Sequence, residues 1–116
     1  QEFKMPAAYT NLYLEKGATY NTTITLDDVY GDSYNLVGYT ANSQFRKSYY
    51  SSNATAVFQT TIDTTNGSIS LYLTAATTAN IAPGRYVYDV VIKDSSNTVS
   101  RVLEGVVNVL PQVTVF

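Results

Sequence analysis

An all-β sandwich is the fold class this sequence predicts, and three observations predict it. Tyrosine supplies 11 of the 116 residues, and threonine gathers in runs such as Thr22-Thr23-Ile24-Thr25. With Val and Ile, these residue types suit a pleated, half-buried surface. Apolar side chains alternate with polar ones over short stretches, and no long helical period competes with them. Clusters of Asp, Asn, Gly and Pro punctuate the stretches at the spacing of successive strands. The expected architecture is about seven antiparallel strands in two layers, with one short helical turn.

Taken in order, Tyr9 to Leu14 alternates weakly and stops at Lys16-Gly17, a first strand. Tyr20 to Leu26 places Ile24 and Leu26 on one face and threonines on the other. Asp27 to Asp32 reads as a turn, since Asx side chains bond nearby amides. Asn35 to Lys47 is the longest strand candidate, with Val37, Tyr39, Ala41, Ser43 and Phe45 on one face. Ser48 to Thr55 is a polar loop. Ala56 to Asp63 aligns Ala56, Phe58, Thr60 and Ile62. Asn66-Gly67 then signals a hairpin of type I′, because both central positions of that turn want positive φ. The return strand, Ser68 to Leu73, turns Ile69, Leu71 and Leu73 inward.

Thr74 to Ile81 is the one place where a helical turn is expected, capped by Thr74 and stopped at Pro83-Gly84. Arg85 to Lys93 puts Tyr86, Tyr88, Val90 and Ile92 on one side. Asp94 to Asn97 turns the chain, and Thr98 to Val109 returns as the last strand before Pro111. This series is the pattern of an immunoglobulin-like Greek-key sandwich. A tyrosine just after a helical turn, two residues before a core position, is where a tyrosine corner sits. On that reading Tyr86 bonds backbone across the corner, and Tyr88 fills the space that a bridging cysteine takes in other such domains. Ile24, Phe45 and Ile62 would pack nearby. The alternative is that Tyr86 is one more core aromatic.

Residues 5–110 are read as a single domain and 111–116 as a C-terminal tail. Met5-Pro6-Ala7 has the form of a native start, which would make Gln1 to Lys4 an expression remnant. The N-terminus has no apolar run behind a basic start, so no signal peptide is expected.

Composition narrows the chemistry. The sequence contains neither Cys nor His, which removes disulfides, thiol nucleophiles, His-based triads and the usual zinc sites. Seven basic residues against nine acidic ones, scattered along the chain, give a net charge of −2. Nucleic-acid or anionic-membrane binding would need a basic stripe or patch, and neither is expected. No cofactor or metal is expected, and no enzymatic activity. The acidic cluster Asp27, Asp28 and Asp32 could hold Ca²⁺ in principle, but it lacks the EF-hand spacing and reads better as a turn.

Two further groups are candidates. Arg46, Arg85, Asp89, Arg101 and Glu104 are strand or strand-edge charges. They belong either to outer faces, where such pairs contribute little, or to a contact surface for a neighbouring subunit. The loop Lys47 to Asn53 has the Tyr, Ser and Asn composition of recognition loops. Tyr49, Tyr50 and Asn53 are its candidate interaction residues, unless the tyrosines fold back over the core edge. Sequons at Asn21 and Asn53 are expected by chance in a Thr-rich chain.

The ordered motifs also carry a resemblance. Asp28-x-x-Gly31-x-x-Tyr34-Asn35-Leu36-x-Gly38-Tyr39-Thr40 and Gln44-Phe45-Arg46 make up its first half. Asn66-Gly67-x-Ile69-x-Leu71-x-Leu73-Thr74, Gly84-Arg85-Tyr86-x-Tyr88-Asp89 and Arg101-Val102-Leu103-Glu104-Gly105 make up its second. Together they resemble the Ig-like domains of tailed-bacteriophage virion proteins. The likeness runs from about Asp27 to Thr114. It is similar to structural proteins of marine, cyanophage-type myoviruses and, more distantly, to the N-terminal domain of phage baseplate upper proteins. Val37 departs from the pattern, where Thr is usual before the glycine. The resemblance implies a structural or assembly role in the virion, as a neck, tail, baseplate or capsid-associated piece made in the host cytoplasm. Its partners would be other virion proteins, with a homo-oligomer as one form. No catalytic or ligand residue is carried over. The runner-up function is a receptor- or carbohydrate-binding module that uses Tyr49 and Tyr50.

Overall fold

A computed structural model describes residues 8–26 and 34–114. The strands are β1 (Ala8–Tyr9), β2 (Leu12–Glu15), β3 (Tyr20–Thr25), β4 (Thr40–Arg46), β5 (Ala56–Asp63) and β6 (Ser68–Leu73). A short helix α1 (Ala75–Ala79) follows, then β7 (Gly84–Lys93) and β8 (Val99–Leu110). Hydrogen bonding runs in the order β1-β8-β7-β4-β5-β6-β3, with β2 also on β8.

That path folds into two layers at β5. Its first residues pair with β4 (Phe45↔Ala56, Ser43↔Phe58). Its remainder pairs with β6 (Gln59↔Tyr72 to Asp63↔Ser68). One layer is therefore β3-β6-β5, and the other is β5-β4-β7-β8 with β1 and β2 at its far edge.

Alternation fills the space between the layers. Ile69, Leu71 and Leu73 of β6 and Tyr86, Tyr88, Val90 and Ile92 of β7 are all buried, facing Leu14, Leu36, Phe45 and Val107. Each fully buried aliphatic or aromatic side chain of this kind stabilises the fold by about 1.5–3 kcal/mol relative to exposure. Phe45 is central: its ring centroid lies 5.3 Å from Phe58 and 5.5 Å from Tyr86, the latter edge-on. Ile24 and Ile62 flank Ile69 in one cross-strand row and pack half-buried against this core.

Several details differ from the sequence expectations. The strand expected from Asn35 begins only at Thr40. Asn35 Oδ1 accepts from Val37 N at 3.1 Å, and Tyr39 N donates to Leu36 O at 3.1 Å. This local turn competes with extension, buries Leu36 and leaves Val37 exposed. The longest strand is instead β8. There the register slips between Val90 and Val91, so both Val102 and Leu103 point inward.

The Asn66-Gly67 hairpin exists, but its loop is Thr64 to Gly67 rather than a two-residue type I′ turn. Gly67 has φ +61° while Asn66 does not reach positive φ. Asp63 takes over the organisation: its carboxylate accepts from Thr65 N at 3.0 Å, Asn66 N at 3.3 Å and Asn66 Nδ2 at 2.9 Å. Gly67 is needed for a second reason. A Cβ there would lie 2.6 Å from the Tyr34 carbonyl oxygen.

The expected first strand is split in two. Thr10 and Asn11 interrupt it, and both pieces run parallel to β8 rather than antiparallel to a neighbour. The break is pressed against Gly105, where a methyl group would overlap the Thr10 carbonyl. The helix is capped as expected: Thr74 Oγ1 accepts from Thr77 N at 3.2 Å. It is tied to the β2–β3 turn by buried Thr78, whose hydroxyl lies 2.8 Å from Ala18 O and accepts from Gly17 N at 3.1 Å. Lys16 Nζ donates to Ala79 O at 2.6 Å, a cation on the carbonyl end of a helix.

Candidate functional site

In the inner strands of the larger layer, residues opposite one another across a ladder share a face. Phe45↔Tyr88 points into the core; Gln44↔Asp89 and Arg46↔Val87 therefore point outward. The row continues through Asp89↔Glu104 to Tyr9 on β1, so the outer face presents a polar band with tyrosines at its edge. Tyr9 and Tyr13 are both well exposed.

At the β4–β5 end of this face lies a shallow groove of about 240 Å³ lined by Gln44, Arg46, Tyr49, Val87, Tyr88 and Asp89. Tyr88 takes part only as the strand between its neighbours, since its ring is buried on the other side. Arg46 is held in place. Its guanidinium donates to Gln44 Oε1 at 2.8 Å and to Ser51 O at 3.1 Å. The second of these bonds fastens the loop to the sheet. The loop is also bonded within itself: Ser51 N donates to Ser48 O, Ser48 N to Ser51 Oγ and Tyr50 N to Ser48 Oγ. Thr55 N returns to Phe45 O at 2.8 Å.

The predicted interaction residues separate here. Tyr49 borders the groove and is 64% exposed as a residue. Tyr50 is 97% exposed and does not line it, and Asn53 is an exposed loop residue outside it as well. Three of the strand charges, Asp89, Arg101 and Glu104, form one short network: Arg101 Nη1 contacts Glu104 Oε1 at 3.3 Å, and Arg101 Nε contacts Asp89 Oδ2 at 3.6 Å. At this exposure such pairs contribute at most about 1 kcal/mol. Arg46 and Asp89 stand out in the sequence as strand charges, but nothing there joins them to Tyr49, and Gln44 is visible only as part of a motif. Outward parity along β4 was readable. The β4–β7 register that sets Gln44 beside Asp89 was not.

The other pair, Tyr86 and Tyr88, belongs to the interior. The Tyr86 hydroxyl donates to Ala82 O at 2.7 Å, the bond a tyrosine corner makes. Lys47 Nζ stands 4.8 Å over its ring. The Tyr88 hydroxyl donates to Thr10 O at 2.7 Å, and burial pushes its pKa well above the ordinary phenol value of 10.0. Asp27, Asp28 and Asp32 lie outside the described residues, as do Gln1 to Lys4 and the last two residues of the tail. Among the described residues no three acidic side chains converge on a point where a metal ion could sit. No helix among them is long and apolar enough to cross a membrane.

Residues 6–109 match a family model described as "LtfC-like, beta-sandwich domain". No curated protein matches the chain. Among solved structures, the Listeria monocytogenes internalin-like protein lmo2027 is similar, with a TM-score of 0.51 at 19% identity. That match covers 89% of this chain and 28% of that one. A structure from a photo-crosslinking study of cell-adhesive interactions of VGSC beta subunits aligns with a TM-score of 0.46 at 13% identity, covering 94% of this chain and 98% of that one.

Proposed function

The chain belongs to the LtfC-like, β-sandwich domain family, and from that membership we propose that it is a non-catalytic structural or assembly component of a tailed-phage particle. The family name suggests a place with the tail fibres. The motif resemblance to cyanophage-type virion proteins supports the same setting and also leaves neck, baseplate and capsid open. The observation that carries the reading is the extent of the family match, which takes in almost the whole sandwich.

The mechanism is docking on other virion proteins, a second copy of the chain among them. Among the described residues, β3 pairs only with β6, and β1 and β2 pair only with β8. Each layer therefore ends on a strand whose outer N–H and C=O groups are open to another chain. The exposed Tyr9 and Tyr13 beside one of those edges add apolar area to such a contact. On this reading the protein is made in the host cytoplasm, works in the virion, and binds neither nucleic acid nor membrane.

Gradient-purified particles, probed with an antibody to the chain, test the role. The chain should co-sediment with particles and label one substructure in electron micrographs. If it stays in the soluble fraction after lysis while intact particles lack it, the reading fails.

A further inference from the structure

The groove beside Tyr49 combines features that the sequence left apart. Both strands beneath it are interior: β7 lies between β4 and β8, and β4 lies between β7 and β5. Their backbone groups are spent on the sheet, so a peptide cannot add to it as an extra strand. A ligand here meets side chains alone.

Those side chains are complementary in kind. Tyr49 offers an exposed aromatic surface with a polar tip. Arg46 uses two donations to lock itself against Gln44 and Ser51, leaving the rest of its five N–H donors. Asp89 is part-exposed and, among the described residues, has one charged contact, at 3.6 Å to Arg101, which leaves acceptor capacity on its carboxylate. A fixed donor, a carboxylate with acceptor capacity to spare and an adjacent ring suit a molecule with vicinal hydroxyls on one edge and C–H groups on a face. Arg46 and Arg101 together balance Asp89 and Glu104 in charge, which favours a neutral ligand. At about 240 Å³ the groove is smaller than the roughly 300–1,000 Å³ of drug-sized sites. It fits a single ring.

We propose that this groove is a binding site for a neutral pyranose, the terminal sugar of a glycan, with Tyr49 stacking on the ring and Arg46 and Asp89 bonding its hydroxyls. Because Arg46 and the 48–51 turn are already fixed, binding orders little that is mobile, which is the condition for a small site to work. With so shallow a groove, the expected Kd for one sugar is about 1 mM. The site is independent of where in a particle the chain sits.

The test is a titration of the ¹⁵N-labelled full chain with the methyl α-glycosides of D-glucose, D-galactose, D-mannose and N-acetyl-D-glucosamine, each to roughly 50 mM, about fifty times a 1 mM Kd. At least one should shift amides clustered at residues 44–51 and 87–89. Tyr49→Ala and Asp89→Asn, both surface changes, should each weaken that glycoside about tenfold or more, and Tyr50→Ala should leave its Kd unchanged. The proposal is overturned if no glycoside moves those amides, if both variants keep wild-type affinity, or if Tyr50→Ala weakens binding as much as Tyr49→Ala. Tighter binding of sialyllactose than of every neutral sugar would overturn the neutral-ring assignment. Co-sedimentation with particles stands or falls separately from all of these.

Discussion

Gly105 carries no side chain because the Thr10 carbonyl occupies the position where one would begin. The same carbonyl accepts the Tyr88 hydroxyl. Three residues far apart in sequence thus hold the break between β1 and β2 on β8. We expect Gly105→Ala to destabilise the domain by at least the ~1–3 kcal/mol of an overpacked core, since the obstructing atom is backbone and has no rotamer to change. Tyr88→Phe keeps the ring and removes the donor, so it should cost about 1–3 kcal/mol. Urea unfolding of both variants checks this pair; a Gly105→Ala protein as stable as wild type would contradict the close approach. Of this cluster, Tyr88 as an inward residue was legible from alternation. Its partner was not, because nothing in a sequence says that residue 10 lies over residue 105.

At the level of elements, each of two hairpin loops is organised by the aspartate at its start. Asp94 Oδ1 accepts from Ser96 N and Thr98 N, both at 2.9 Å, and Asn97 takes φ +67°. Asp63 does the same for the β5–β6 loop, and its bonds to Asn66 and Thr65 lower its pKa from the ordinary 3.8. The charged form is thus favoured by folding. Its contribution is complete above the ordinary carboxylate value and is lost as pH falls through the lower folded value. We expect a chemical-shift titration of Asp63 to show a midpoint below 3.8, and Asp63→Asn to remove that part of the acid sensitivity. A midpoint at or above the ordinary value would sink this account of the loop. The hairpin was visible in Asn66-Gly67. The turn type was not, because the type I′ expectation weighed the dipeptide alone and left out the carboxylate three residues earlier.

Across the molecule, alternation predicted which side of β6 and β7 faces inward, since each layer has one dry face and a one-residue error exposes every apolar group. It did not predict that β5 serves both layers, that β2 runs parallel to β8, or that Tyr49 lies against the outer face of β4 and β7. Those facts depend on register between distant segments, which leaves no trace in local pattern. The burial pattern also marks where the fold can be cut. Among the described residues the last buried apolar side chain is Val109, and Val113 is 99% exposed. Deleting residues 111–116 should therefore leave a cooperative thermal transition. Loss of that transition would contradict this boundary.

The parallel pairing of β2 with β8 has a mechanical consequence. The chain enters along one strand and leaves along its neighbour in the same direction, so tension drawn from the two ends slides these strands past each other lengthwise. The bonds from Leu12↔Val107 to Glu15↔Leu110 then bear the load together instead of opening one after another like a zip. A module wired this way resists stretching along its length far better than peeling from the side.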